Sequence, residues 1–198
     1  MIKKSIFGKI ALVVVGALII PTLAVAQIKM GIILGFTGPI ESLTPDMGKS
    51  AELAFKEVSD SGQLLGGQKV SVVRADSTCI DAAAATAAAE RLITSDKVAG
   101  IMGADCSGVT TAIANNVAVP NGVTMISPSA TSPALSTIAD NGYFFRTAPS
   151  DARQGQVLAE ITIERGINNV AVTFINNDYG KGLSDSFINA YKGLGGKV

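Results

Sequence analysis

Small hydroxyl side chains follow two apolar, β-type segments of this sequence, and their chemistry suits a polar ligand. Ser107 comes after Val98–Met102 and begins a helical pattern, while Ser129 and Thr131 lie in a Ser/Pro-rich stretch after Gly122–Ile126. Free N–H groups at a helix N-terminus bind carboxylates, and flanking prolines stiffen a loop. We therefore predict that Ser107 and the stretch Ser127–Pro133 offer hydroxyls and carbonyls to the head group of a polar ligand. The alternative is that Ser107 caps its own helix and that the second stretch is an ordinary turn.

A third polar stretch, Asn176-Asn177-Asp178-Tyr179-Gly180, follows the apolar run Asn169–Ile175. Ligands of parallel sheets bind at the carboxyl ends of the strands, so Tyr179 is predicted to face a cleft there. The alternative is an Asx-type turn that leaves the Tyr179 ring exposed.

The composition excludes several classes of chemistry. The chain has no His and only two Cys, which excludes Ser-His-Asp and Cys-His catalysis and disfavours a zinc site. The acidic residues Asp76, Asp81, Asp105 and Asp178 lack the spacing of a metal loop, and Gly35–Pro39 is not a dinucleotide fingerprint. No basic stripe is present, which argues against a nucleic-acid partner. We expect a protein that is not an enzyme and that carries no metal or cofactor.

The first 26 residues have the pattern of a cleavable export signal. Lys3, Lys4 and Lys9 precede the apolar run Ile10–Ile20, and Ala24-Val25-Ala26 is a small-x-small cleavage site. The run is too short to span a bilayer, although an uncleaved anchor is the alternative. Removal of this segment would leave a mature chain that begins at Gln27 and has a net charge of −3.

Cys79 and Cys106 are the two cysteines of the chain. An even number of cysteines in an exported protein favours a disulfide, because the compartment is oxidising. The alternative is a pair of buried free thiols.

Strand and helix patterns alternate between residues 27 and 147, which predicts an N-terminal lobe with a doubly wound parallel sheet covered on both faces. The apolar face of its first helix is predicted to include Leu53 and Val58. The predicted strands are Ile28–Leu34, Lys69–Arg74, Val98–Met102, Gly122–Ile126 and Tyr143–Arg146, and the predicted helices are Asp46–Ser59, Ile80–Thr94 and Ser107–Val117.

A second alternation begins at residue 148. Helix Asp151–Arg165 is followed by strand Asn169–Ile175 and helix Gly180–Leu194, and Gly195–Val198 resembles a turn into a further strand. One strand cannot form a sheet with a buried face, so residues 148–198 are expected to begin a second α/β lobe that continues beyond Val198. The alternative is a single domain with a helical tail.

Six short motifs occur in an order that resembles the periplasmic leucine/isoleucine/valine-binding protein family, the type I solute-binding proteins of ABC transporters. They are G-x-T-G-P from Gly35, D-x-x-C from Asp76, C-S from Cys106, S-P-x-A-T from Ser127, R-T from Arg146 and D-Y-G-x-G from Asp178. The resemblance covers Gln27 to Val198 and implies two lobes that close on a ligand.

The resemblance also implies roles for individual residues. It pairs Cys79 with Cys106 in a disulfide and assigns Ser107 to the ligand carboxylate. It places Ser129 and Thr131 at the α-ammonium and α-carboxylate groups, and Tyr179 in the cleft.

The implied function is that of a monomeric periplasmic protein that captures an amino acid, of branched-chain type, and delivers it to a membrane ABC permease. The alternative is a periplasmic ligand-sensing receptor of the same fold for an amide or another small organic solute. The loop Ile40–Met47 is longer than in branched-chain binders and contains Glu41, Leu43 and Asp46. The head-group site is therefore expected to match the family better than the side-chain pocket does.

Overall fold

A computed structural model describes residues 27–198 of the chain. The predicted export signal lies outside the described residues. The structure contains five strands, all paired in parallel in the order β2-β1-β3-β4-β5. The strands are β1 (Ile28–Leu34), β2 (Val70–Asp76), β3 (Gly100–Gly103), β4 (Thr124–Ser127) and β5 (Phe144–Arg146). The predicted doubly wound α/β sheet is confirmed.

Within residues 27–198, five α-helices accompany the sheet. They are α1 (Thr44–Ser61), α2 (Ala82–Thr94), α3 (Ser107–Ile113), α4 (Asp151–Glu164) and α5 (Asp178–Gly193). A π-helical turn, Ala114–Ala118, extends α3, and short 3-10 turns occur at Leu64–Gly66 and Pro133–Ser136. Among the residues that the structure describes, no helix has the length and apolarity needed to cross a membrane.

The main hydrophobic core lies between the sheet and the helices α2 and α3. Leu92 of α2 and Ile113 of α3 are fully buried beside Ile101 and Met125, which lie on the inner face of β3 and β4. Gly31 permits the close approach of α2, because a Cβ atom there would lie 3.0 Å from Leu92 Cδ1. The small side chains of the Ala-rich helix thus serve close packing, with Ala85 and Ala89 also buried.

The opposite face of the sheet is covered only in part. Helix α1 packs on β1 and β2, while the next three strands place Met102, Ile126 and Phe145 side by side in register. Ile126 is 42% exposed and Phe145 is 52% exposed. The prediction of a sheet covered on both faces was therefore wrong for β3 to β5 within residues 27–198. The helices that follow β2 and β3, which are α2 and α3, pack on the core face of the sheet. In residues 27–198 this leaves α1 alone on the opposite face.

Helix α1 turns a different face inward from the one its apolar residues indicated. Leu53 and Val58 are exposed, whereas Thr44, Gly48 and Ser59 are buried. The inward hydroxyls bind backbone groups, since Thr44 Oγ1 donates to the Gly35 carbonyl and Ser59 Oγ accepts from the Val70 N–H. Close contact with backbone selects small polar residues here, and the prediction from hydrophobicity was wrong.

In residues 148–198, α4 and α5 pack on each other, but the predicted strand Asn169–Ile175 is absent. One parallel bridge joins Asn169 to Lys197, and the Val170 N–H donates to the Lys197 carbonyl. A β-strand requires a continuous partner, and the described residues supply only this bridge. The side chains of Phe174 and Ile175 are consequently exposed.

We expect Gly155→Ala to destabilise the packing of α4 on α5. A Cβ atom at Gly155 would lie 2.6 Å from the Phe187 backbone nitrogen, so a helix must shift, at a cost of roughly 1–3 kcal/mol. The matched control is Gly193→Ala, where a Cβ atom meets nothing within 4 Å. Urea unfolding followed by circular dichroism measures both variants. Equal stability of the two alanine variants would contradict this packing.

Candidate ligand-binding site

The predicted site lies where the loops after β1, β3 and β4 emerge at the carboxyl edge of the sheet. Because β1, β3 and β4 are adjacent and parallel, these loops lie next to one another. The first contains Gly35, the second Asp105 and Cys106, and the third Ser129 and Thr131. The topology alone therefore brings distant parts of the sequence to one place.

Asp105 is the buried centre of this edge. Its side chain is almost inaccessible, and Oδ2 accepts from the Gly35 N–H at 2.7 Å. Oδ1 accepts from the Cys106 N–H at 2.9 Å and from the Ser77 hydroxyl at 3.3 Å. One carboxylate thereby links the ends of β1, β2 and β3. Sequence reasoning considered Asp105 only as a metal ligand or catalytic group, because burial by loops distant in sequence leaves no local pattern.

Cys79 and Cys106 form the predicted disulfide, with their Cα atoms 5.2 Å apart. The bond joins the loop after β2 to the start of α3 and crosses the end of β1. The alternative of two buried free thiols is excluded by this pairing. Ser107, the next residue, is therefore anchored covalently from the side of β2.

Ser107 is the first residue of α3, and Cys106 occupies the N-cap position. The Ser107 hydroxyl is buried and accepts from the Ser132 N–H at 3.1 Å. It therefore binds the loop after β4 instead of capping its own helix, which corrects the alternative interpretation. Since one oxygen lone pair is engaged, the hydroxyl proton remains for another acceptor.

Thr131 has the opposite hydrogen-bonding arrangement. Its hydroxyl donates to Oδ2 of Asp151 at 2.6 Å, and its carbonyl accepts from the Asp151 N–H at 3.0 Å. The Thr131 oxygen therefore presents lone pairs to a ligand. Asp151 is only 1% exposed, and no Lys or Arg in residues 27–198 lies within ion-pair distance of it. Sequence reasoning saw Asp151 only as the start of a helix, which acidic residues commonly favour.

Ser129 joins two of the loops that form the predicted site. Its hydroxyl donates to the Asp105 carbonyl at 3.1 Å and so ties the loop after β4 to the loop after β3. The side chain thus has a structural partner within the protein. Its own carbonyl is the group predicted to face a ligand.

The structure brings Ser107, Ser129 and Thr131 together but places Tyr179 elsewhere. Tyr179 is 41% exposed and lines a groove of 570 Å³ with Leu158 and Phe174, away from the three hydroxyl residues. Asn177 Oδ1 accepts from the Gly180 N–H at 2.8 Å, as the Asx-turn alternative describes. In this structure, Tyr179 is not part of the head-group site.

Residues 148–198 nevertheless contact the loop after β4. A pocket of 360 Å³ is lined by Ser132 and Pro133 together with Asp178 and Lys181 of α5. Gly182 makes the close approach, because a Cβ atom there would lie 2.7 Å from Pro133 Cδ. Helix α5 is therefore the element that faces the hydroxyl loop across this space.

Asp76 stabilises the turn that follows β1. Its carboxylate accepts from the Thr37 hydroxyl at 2.6 Å and from the Thr78 N–H at 2.8 Å. Partial burial raises the pKa of Asp76, but the hydrogen bonds from Thr37 and Thr78 outweigh burial and lower that pKa below its ordinary value. The charged form thus holds the loops after β1 and β2 together. Within the described part of the chain, no three His, Cys, Asp or Glu side chains cluster as metal ligands.

The family model for periplasmic binding proteins matches residues 27–198. This chain belongs to the periplasmic binding protein family. The Leu/Ile/Val-binding protein homolog 3 of Brucella melitensis is 32% identical, over 83% of this chain and 44% of its own length. The Leu/Ile/Val-binding protein of Escherichia coli is 29% identical, over 91% of this chain and 48% of its own length.

Solved structures of the family share this architecture. The branched-chain amino acid transporter substrate binding protein LivJ of Streptococcus pneumoniae, solved with isoleucine, is 30% identical with a TM-score of 0.74; the match covers 87% of this chain and 48% of that one. An ABC transporter substrate-binding protein of Desulfitobacterium hafniense, solved with Leu, is 27% identical with a TM-score of 0.68 and covers 87% and 49%. The chain therefore spans about half the length of the relatives it matches.

We expect Asp76→Asn to lower stability by roughly 0.5–1.5 kcal/mol at pH 7, because the amide cannot accept all the bonds of the carboxylate. The folded-state pKa lies below that of the unfolded chain, so this stabilisation is present above the unfolded-state pKa of about 3.9 and is lost as the pH falls through the lower, folded-state pKa. Urea unfolding should show that the free energies of unfolding of wild type and variant differ less at pH 3 than at pH 7. Glu41→Gln is the control, because Glu41 is an exposed carboxylate in the loop after β1 that contains Thr37. A pH-independent difference would refute this role.

Proposed function

We propose that this protein is the periplasmic substrate-binding component of an ABC transporter. It captures a branched-chain amino acid between two lobes and delivers it to a membrane permease, without catalysing a reaction. The observation that carries this proposal is the opposite hydrogen-bonding polarity of Ser107 and Thr131. One hydroxyl retains a proton to donate, and the other retains lone pairs to accept.

The donor side of the site suits the ligand's carboxylate. The Ser107 hydroxyl oxygen accepts from the Ser132 N–H, so its O–H group remains available to donate to a ligand. A hydrogen bond to a charged group contributes roughly 1.5–3 kcal/mol, more than a neutral one. Ser107 is therefore assigned to the carboxylate, as the family resemblance also implies.

The acceptor side suits the ligand's ammonium group. The Thr131 oxygen and the Ser129 carbonyl are acceptors, and the buried Asp151 carboxylate behind Thr131 supplies negative charge. Burial of a charge is costly unless an opposite charge accompanies it. A ligand ammonium near Thr131 would supply the countercharge that Asp151 lacks among the described residues.

The branched-chain preference is supported by the relatives. Those from Brucella melitensis and Escherichia coli are named Leu/Ile/Val-binding proteins, and two similar structures were solved with Leu and isoleucine. We assign residues 27–147 to the first lobe and residues 148–198 to the second, with residues 1–26 as the export signal. Tyr179 is assigned to the cleft between the lobes. The protein is assigned as a monomer, and closure of its two lobes would bring Tyr179 over the ligand's head group.

We expect Ser107→Ala and Thr131→Ala each to weaken L-leucine binding about tenfold to a hundredfold, because each removes a hydrogen bond to a charged group. Isothermal titration calorimetry on the full gene product measures the dissociation constants. Thr137→Ala is the matched control, since that exposed hydroxyl bonds only to the Ala134 carbonyl of its own turn.

The same titration tests the assignment of the two charges. 4-Methylpentanoate has the carbon skeleton of leucine without the ammonium group, and it should bind at least about tenfold more weakly than leucine. Unchanged leucine affinity in both alanine variants, or equal affinity for leucine and 4-methylpentanoate, would contradict the proposed site.

A further inference from the structure

We propose that Asp105 is a positioning residue that couples selection of the ligand's side chain to the binding of its head group. This inference rests on the proposed function. Asp105 touches neither charge of the ligand in this assignment; it acts through the loops that surround the ligand. The argument depends on which loops it holds and on what each loop carries.

Asp105 contacts every loop at the carboxyl edge from β2 to β4. Its carboxylate accepts from Gly35 after β1, Ser77 after β2 and Cys106 at the start of α3. Its main-chain carbonyl accepts from the Ser129 hydroxyl after β4. Cys106 adjoins the proposed head-group residue Ser107, and Ser129 is itself one of these residues, whereas Gly35 begins a loop that carries none of them.

The loop between Gly35 and Thr44 is clamped at its base. The Gly35 N–H donates to Asp105 at 2.7 Å, and the Gly35 carbonyl accepts from the Thr44 hydroxyl at 2.9 Å. A Cβ atom at Gly35 would lie 3.2 Å from Cys79 Cβ, so the backbone has little room to move. Asp105 and Thr44 therefore set the position of residues 36–43 relative to the head-group loops.

A ligand whose head group lies on Ser107 and Thr131 must direct its side chain to neighbouring surface. Since β1 lies directly beside β3 in the sheet, the loop after β1 borders that space on one side. A shift of this loop changes the room for a side chain and leaves the head-group bonds in place. The Asp105 carboxylate is thus placed to affect large side chains more than small ones.

An amide cannot replace this carboxylate. Asp105 accepts three hydrogen bonds with two oxygens and is 4% exposed. In Asp105→Asn, one oxygen becomes an NH2 group, which donates and therefore repels an N–H donor. If the amide oxygen keeps the Cys106 and Ser77 bonds, the NH2 group faces Gly35 and releases the loop.

The test compares L-leucine with L-alanine, which share a head group and differ in side-chain size. In Asp105→Asn, calorimetry on the full gene product should show leucine binding weakened at least about tenfold and alanine binding changed less than about threefold. Asp140→Asn is the matched control, because that carboxylate also accepts a backbone N–H, from Gly142 at 2.9 Å, in a turn that precedes β5. The control should keep the wild-type ratio of the two affinities.

A merely structural role would lower both affinities by the same factor, and that result would overturn the proposal, as would an unchanged ratio. Thr44→Val removes the other half of the clamp and should shift the ratio in the same direction, even if Asp105→Asn folds poorly.

If wild-type protein binds neither amino acid, the proposed function fails. Amide hydrogen exchange then decides the positioning role: Gly35 should exchange at least about tenfold faster in Asp105→Asn or Thr44→Val, and unchanged Gly35 exchange would overturn it.

Discussion

One buried carboxylate, which forms no ion pair with a Lys or Arg of residues 27–198, organises the carboxyl edge of the sheet. Asp105 is held by three hydrogen-bond donors that come from three different strand ends. A buried charge is tolerated only when its hydrogen-bonding capacity is satisfied, so the three loops must remain in place together. The disulfide between Cys79 and Cys106 reinforces the same junction covalently. This junction positions Ser107 and Ser129, the proposed head-group residues.

The sheet explains why so few residues suffice to build a site. In a parallel sheet every strand points in one direction, and all the loops of one edge meet there. The order β2-β1-β3-β4-β5 places the loops after β1, β3 and β4 side by side, although they are far apart in the sequence. The two hydroxyls then differ only in their partners: Ser107 is held by a donor and Thr131 by an acceptor. In the proposed site, this difference provides a side for the ligand's carboxylate and a side for its ammonium group.

The apolar surface that the described residues expose can be compared with the share of its relatives' length that the chain covers. The chain spans about half the length of its relatives. Ile126 and Phe145 on the sheet, and Phe174 near α5, are exposed. In α/β proteins such faces are usually covered by helices or by further strands. Residues 27–147 thus cover one face of the sheet and form the carboxyl-edge loops, while residues 148–198 contribute two helices and an incompletely paired segment.

The sequence by itself determined the class of the fold, the family and the cysteine pair, because alternation, turn residues and short motifs are local signals. The ligand-binding roles of Ser107, Ser129 and Thr131 stay a prediction. It misjudged the inward face of α1, where contact with backbone favours Thr44 and Gly48 over Leu53. Only the tertiary structure revealed the hydrogen bonds of Asp105 and Asp151, since apart from Cys106 their partners lie 20 to 70 residues away. Such contacts arise when the sheet assembles, and a linear pattern holds no record of them.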